Sequence, residues 1–394
     1  MIVLAGGDLV LPDRILSSGS LVIDAARIVA VDARSRVDPD GARVLDVRNT
    51  YVVPGFIDVH VHGLAGSDTL DEGDALARIA AHLPRYGVTA FCPTTVACPP
   101  DELRSFLGHV RHARVAGPRG GARVLPAHLE SNFINPDYRG AQPEACLCLP
   151  NDNNAGARQI LDAIASSRPD VGILTLAPEL PGGLDLVRSL VSAGHRVALG
   201  HSGADYETAI AAIEAGARHA THLFNRMTPV AHRAPGIAGA VLAREDVAAE
   251  LICDGYHVHP ALCRVAIAAK GVHGVMAITD GTSGSGLSVG SSARLGGQSI
   301  QVRDQAAFLA DGTLAGSTLT MDRAFRNIVR NFGASIVDAA VMCSTTPARE
   351  LGLTGLGMVT EGATADLVVL DRDFNVVRTF VGGEEVYVAT EPRP

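Results

Sequence analysis

The stretch Phe56-Ile57-Asp58-Val59-His60-Val61-His62 decides the reading of this chain: an apolar run that closes on two histidines two residues apart. Side chains of a strand alternate faces, so His60 and His62 point the same way and both imidazoles can meet one metal ion. The pattern recurs along the chain. Val124-Leu125-Pro126-Ala127-His128-Leu129-Glu130, Val197-Ala198-Leu199-Gly200-His201, His219-Ala220-Thr221-His222 and Val275-Met276-Ala277-Ile278-Thr279-Asp280 each carry a histidine or an acid just after a buried run. Metal ligands gathered from the carboxyl ends of many parallel strands are what a (β/α)8-barrel metal hydrolase needs, because in that fold the strand ends converge on the face that carries the chemistry.

Working outward, eight apolar runs lie near 56–60, 88–92, 123–129, 171–177, 197–200, 218–222, 248–252 and 274–279. Helical patterns at 73–86, 101–113, 154–166, 183–193, 204–215 and 259–270 separate them. Strand and helix alternating eight times predict an α/β fold, a closed parallel TIM-like barrel spanning 54–353. Residues 1–53 and 354–394 alternate short apolar runs with turn signals, as in Leu21-Val22-Ile23-Asp24 and Asp366-Leu367-Val368-Val369-Leu370. The two ends are expected to build one small β-sandwich domain of antiparallel strands. The Gly- and Ser-rich stretch 281–318 fits no element and is expected to wrap over the site after the last strand.

Composition narrows the function. With 394 residues, 47% of them apolar, the chain can bury a large core. A net charge of −9 and the absence of a basic stripe argue against nucleic acid as a partner. No apolar run reaches the roughly 18 residues of a membrane helix. The start, Met1-Ile2-Val3-Leu4-Ala5-Gly6-Gly7-Asp8, reads as a first strand and not a signal peptide. Seven scattered cysteines, without zinc-knuckle spacing, suit free thiols in a reducing cytoplasm. Lys270 is the chain's single lysine. It falls at the end of a helical pattern followed by Gly271 as C-cap, so a carboxylated lysine bridging two metals is not expected there, and any bridging carboxylate must be Asp or Glu.

Glu130, at the end of the third run, would be costly to bury unless paired or metal-bound. His201 and His222 end the fifth and sixth runs, where neutral imidazole suits zinc-like ions. Asp280 ends the eighth, where an acid can take the proton of a metal-activated water and deliver it to a leaving amine. His128 reads as a supporting group, and His195 and His219 as facing away from the site. Asn225, Arg226, His232 and Arg233 follow the sixth run and His257 the seventh; arginine with histidine suits an anionic head group such as phosphate. Each has a blander reading: strand-end histidines, a solvated acid at Glu130, a turn-capping Asp280, surface charges at Arg226 and Arg233.

Longer motifs carry a resemblance. Pro54-Gly55-Phe56-Ile57-Asp58-Val59-His60-Val61-His62-Gly63, Leu174-Thr175-Leu176-Ala177-Pro178-Glu179, Gly200-His201-Ser202, Thr221-His222-Leu223-Phe224-Asn225-Arg226-Met227, Arg233-Ala234-Pro235-Gly236, Asp254-Gly255-Tyr256-His257-Val258, Thr279-Asp280-Gly281 and Leu314-Ala315-Gly316-Ser317 resemble the amidohydrolase superfamily, and within it the N-acetylglucosamine-6-phosphate deacetylase family. The resemblance implies that Glu130, His201 and His222 bind one divalent metal and that His60 and His62 hold a second, with Glu130 bridging. One or two ions are allowed, zinc first, with iron, manganese and cobalt also compatible with the donors. It further implies Asp280 as catalytic acid/base, and Asn225, His257 and Arg233 as contacts to a phosphorylated amino sugar, the arginine reaching across a homodimer interface. The implied reaction releases acetate from N-acetylglucosamine 6-phosphate. Departures bear on the substrate: Glu130-Ser131-Asn132 stands where the family has Glu-Gly-Pro, Arg226 replaces a small residue, and Tyr256 precedes His257. They leave open another N-acyl amino sugar or N-acyl amine and, more remotely, a non-catalytic binding protein built on the same fold.

Overall fold

The computed structural model describes residues 1–32, 41–151, 155–304 and 306–390. Eight parallel strands form the barrel: Phe56–Val61, Val88–Thr95, Ala127–Glu130, Val171–Leu176, Arg196–Leu199, His219–Ala220, Ala248–Ile252 and Val275–Ile278. Each pairs in parallel with the next. Closure of the last strand on the first comes from Asp280 N donating to His60 O at 3.0 Å and His62 N to Gly281 O at 2.8 Å. The bonds that shut the barrel thus belong to residues of the candidate site. The third run is broken: Arg123–Val124 pairs separately with the second strand, and Pro126, without an N–H, lies in the gap. Nearly every strand residue is buried, as expected of a parallel sheet covered on its outer face by helices.

The six predicted helices appear, among them Ala75–His82, Pro100–Ala116, Ala155–Ser166 and Pro260–Lys270. Residue 154, the first of one prediction, lies outside the described residues. Gly236–Ala243 was not anticipated because it is apolar all round and has no polar face to set a period. Met321–Arg330 buries Met321, Ala324, Phe325 and Ile328 along one stripe. Lys270 ends its helix with Nζ donating to Val241 O and Arg244 O, on the outside of the barrel and far from any metal role.

The two chain ends share one eight-stranded sheet, joined where Tyr51–Pro54 pairs antiparallel with Leu367–Leu370. It is not wholly antiparallel as expected: Ile2–Val10 runs parallel to both Arg43–Asp46 and Tyr51–Pro54. Leu4, Leu9, Leu21, Ile23, Ile28, Leu367 and Phe380 fill its core. The bidentate pair of Arg123 with buried Asp366, both contacts 3.0 Å, fastens this sheet to the barrel. The chain enters the barrel at Gly55, where a Cβ would lie 2.2 Å from Thr89 Oγ1, so the close approach requires glycine.

Within 281–318 the chain forms a four-stranded antiparallel sheet, Ser292–Leu295, Gln298–Val302, Ala306–Phe308 and Leu314–Ser317. Ala293, Leu295, Ile300, Val302 and Ala315 pack with Val96 as its own small core. Leu295, Leu314 and Gly316 reach the cleft described next.

Candidate metal centre and its cleft

Along the first strand the period of two turns Asp58, His60 and His62 toward the barrel axis, all buried. The third, fifth, sixth and eighth strands end beside them and add Glu130, His201, His222 and Asp280. His201, His222 and Asp280 have φ of 47°, 30° and 50°. Such left-handed backbone costs of order 1–3 kcal/mol in a non-glycine residue and persists where the surroundings enforce it, commonly at functional sites.

Two sets of donor atoms result. In the first, Glu130 Oε1 lies 3.0 Å from His201 Nε2 and 2.9 Å from His222 Nε2, and the two nitrogens are 3.1 Å apart. In the second, His60 Nε2 and His62 Nε2 are 3.2 Å apart, with Asp280 Oδ1 at 3.4 and 3.2 Å from them. Glu130 stands between the sets, its oxygens 3.6 Å from His60 Nε2 and 3.5 Å from His62 Nε2. The tautomers follow from the outer ring atoms. His201 Nδ1 donates to Tyr138 O at 2.8 Å, and His60 Nδ1 donates to Glu250 Oε2 at 2.9 Å. So held, His60 and His201 turn Nε2 inward, toward carboxylate oxygens and the Nε2 atoms of His62 and His222, a crowding of donor atoms that protons or cations relieve. Nitrogen and carboxylate donors, buried and convergent, with two of the four rings oriented by outer partners, fit a divalent cation.

A third cluster, His60, His128 and Glu250, has another meaning. His128 Nδ1 donates to Val59 O at 3.0 Å, and its Nε2 accepts from Thr175 Oγ1 at 2.8 Å. Burial holds its pKa down to about 4, so the ring is neutral and both nitrogens are engaged. It packs edge-on against His60 at 4.5 Å between centroids. His219 sits elsewhere, with Nε2 3.3 Å from Glu350 Oε2.

Three groups escaped the sequence reading. Glu250, mid-strand and fully buried, orients His60; its only signal is a lone acid in Ala248-Ala249-Glu250-Leu251-Ile252. Gln142 donates from Nε2 to Glu130 Oε2 while its Oε1 accepts from Ala97 N at 2.7 Å; nothing in the sequence marked it. Glu179 lay within a matched motif without a role. It accepts from Asn135 Nδ2 at 2.8 Å, Ser202 Oγ at 2.7 Å and Gly203 N at 2.6 Å, clamping the turn that carries His201.

The metal-type groups open into a narrow cleft of about 60 Å³. Asn225, Arg226 and His257 line it; His232 and Arg233 are exposed and do not line the cleft of their own chain. Ser131 and Asn132, the departure read as bearing on the substrate, turn away from the candidate metal centre. Ser131 Oγ donates to Thr175 O at 2.6 Å, and Asn132 Nδ2 donates to Cys98 O and Cys146 O at 2.8 and 2.7 Å. They tie strand ends together and line no part of the cleft. Tyr256 is half exposed and meets the His257 ring edge-on.

Residues 51–386 match the model of the Amidohydrolase family. N-acetylglucosamine-6-phosphate deacetylase of Bacillus subtilis (strain 168) is 34% identical over 387 residues, covering 97% of this chain and 96% of that one. N-acetylgalactosamine-6-phosphate deacetylase of Escherichia coli O157:H7 is also 34% identical, covering 94% and 97%. Among solved structures, a variant of N-acetyl-D-glucosamine-6-phosphate deacetylase from Mycobacterium smegmatis, in complex with N-acetyl-D-glucosamine-6-phosphate, superposes with a TM-score of 0.88. It is 33% identical, with 98% of this chain and 99% of that chain covered.

Proposed function

The chain belongs to the amidohydrolase family and, within it, to the N-acetylglucosamine-6-phosphate deacetylases, and from that premise we propose the following reading of its site. The enzyme hydrolyses the N-acetyl amide of N-acetylglucosamine 6-phosphate to glucosamine 6-phosphate and acetate. The observation that carries this is the meeting of two donor sets around Glu130, with Asp280 Oδ1 3.2 Å from His62 Nε2 at the floor of a cleft.

Glu130, His201 and His222 would hold one divalent ion, zinc first among the candidates, and His60 and His62 a second, with Glu130 between them. When bound, such an ion polarises the amide carbonyl and makes a water proton easy to remove. Asp280, fixed by its backbone bonds to His60 O and Ser317 N, takes a proton from the attacking water. It then delivers that proton to the amine nitrogen as the C–N bond breaks. Glu250 holds His60 in the tautomer whose Nε2 faces inward, and Tyr138 O does the same for His201. Asn225 and His257 bind the sugar phosphate, with His257 oriented by Asp254 Oδ2, 2.6 Å from its Nδ1. Arg233, exposed and outside its own cleft, serves the cleft of a second copy in a homodimer. Seven free thiols suit a reducing, cytoplasmic setting, and no helix among the described residues is long and apolar enough to cross a membrane.

The relative named for N-acetylgalactosamine 6-phosphate, as similar as the first, favours a second reading in which the C4 epimer is the substrate. Acetate release by the metal-loaded protein from both phosphorylated epimers, with unphosphorylated N-acetylglucosamine alongside, tests both. Faster turnover of the gluco compound supports the proposal, and a preference for the galacto compound replaces it. Equal indifference to all three with metal bound removes it.

A further inference from the structure

Arg226, exposed, lines the cleft together with Asn225 and His257, and its guanidinium has no hydrogen bond or ion pair with any described residue. It is held there by its backbone. At φ 50° it occupies the left-handed region, and its carbonyl accepts from Ser202 N at 3.0 Å, next to the His201 turn. Facing it, a Cβ at Gly140 would come within 2.8 Å of Arg226 Nε. Glycine at φ 60° therefore lets the loop bearing Gln142 pass directly against the arginine side chain. A second, independent observation lies beside it. His257 Nε2 is buried without a partner in the cleft wall, while Nδ1 is occupied by Asp254. A cation without an acid among the described residues and an orphaned ring nitrogen, both lining one cleft, call for an anion with several oxygens. A guanidinium meets a phosphate through two parallel N–H···O bonds.

We propose that Arg226 is a phosphate-binding, specificity-determining residue, supplied by the same chain as the metal centre and acting in addition to any arginine of a second copy. This rests on the deacetylase reading for the identity of the substrate. The residue touches the non-reacting end of the sugar, so its contribution is uniform binding, which appears in KM and not in kcat.

The test compares Arg226→Gly, which suits the left-handed backbone and so avoids a folding defect, with Arg226→Lys and Arg233→Ala. Steady-state constants are measured for N-acetylglucosamine with and without the 6-phosphate, along with inhibition by inorganic phosphate. Arg226→Gly is expected to raise KM for the phosphorylated sugar at least about tenfold, the scale of a charge-assisted bidentate contact, with little change in kcat. The preference for the phosphorylated sugar should collapse by the same factor and phosphate inhibition should weaken in parallel. Arg226→Lys should recover part of the loss. An unchanged preference in Arg226→Gly, with all the loss in Arg233→Ala, overturns the proposal; so does an equal loss for both sugars. If the wild-type protein releases acetate from neither, the reaction is misread. Calorimetry of inorganic phosphate binding then decides Arg226 separately: weaker binding by Arg226→Gly supports it and equal binding overturns it.

Discussion

The Glu250 carboxylate lies 2.9 Å from His60 Nδ1, both side chains fully buried inside the barrel. The pair fixes which nitrogen of His60 carries the proton, and so leaves Nε2 free to coordinate. Outer partners of this kind are typically worth roughly 10- to 100-fold in metal affinity or activity. Glu250→Gln is therefore expected to weaken the second ion by about that factor, read by competition with a chelator, while the first set of donors keeps its ion. Unaltered affinity at both sites would show that the ring is oriented by the edge-on packing of His128 alone.

Asp280 Oδ1 lies 3.4 and 3.2 Å from the Nε2 atoms of His60 and His62, with its backbone locked into the barrel closure. Asp280→Asn keeps the shape and removes the proposed base. Turnover is expected to fall by roughly 10²- to 10⁴-fold, with metal content by emission spectroscopy essentially unchanged. Near-normal turnover with full metal would take the proton-transfer role away from Asp280.

The carboxyl-terminal polar residues of the runs were legible because a parallel strand is apolar on both faces, so a histidine or acid at its end stands out. His60, His62, Glu130, His201, His222 and Asp280 all converge for that reason. Glu250 obeys the same logic in mid-strand, where attention to strand ends passes it over. Gln142 and the Tyr138 carbonyl reach the site through loops whose course depends on packing, and no spacing in the chain encodes them. Ser131 and Asn132 show the opposite failure: polar side chains next to a proposed ligand in sequence point away from it, Ser131 because neighbouring strand residues face opposite sides, and Asn132, past the strand's end, because it is bonded to Cys98 O and Cys146 O. Met321–Arg330 carries a plain i, i+3, i+4, i+7 stripe that counting barrel strands does not use. The antiparallel sheet at 292–317 was hidden by its Gly-rich turns, whose short strands look like loop.

Glu179 gathers three donors from two segments, Asn135 on one side and Ser202 and Gly203 on the other. Glu179→Ala leaves them without an acceptor, at a cost of about 1–3 kcal/mol where water cannot replace it. The expected result is a lower urea midpoint together with weakened metal binding at the Glu130, His201 and His222 set, since the His201 turn loses its anchor. A fall in stability without any effect on that ion would confine Glu179 to a structural part.

Metal removal has a sign that the buried charges dictate. In the metal-free chain burial by itself would lower the pKa of His62, but hydrogen bonds to the Asp280 and Glu130 carboxylates raise it to about 10. For His222 burial again opposes, and Glu130 raises it to about 9. Both rings are therefore protonated at neutral pH without metal, and a divalent ion must displace those protons, about two per fully loaded chain. The paired imidazolium groups contribute stability that is complete below the ordinary histidine value near 6.5 and fades as pH rises through 9 and 10. Metal affinity moves the other way, rising as protons compete less. The gap in melting temperature between metal-loaded and metal-free protein is thus expected to widen from pH 6 to pH 9. Calorimetric metal binding near pH 7, in two buffers of different ionisation heat, should show proton release. A gap that stays constant with pH, or metal uptake without proton release, would mean that the rings are already neutral in the metal-free chain and that the carboxylates around them carry the protons instead.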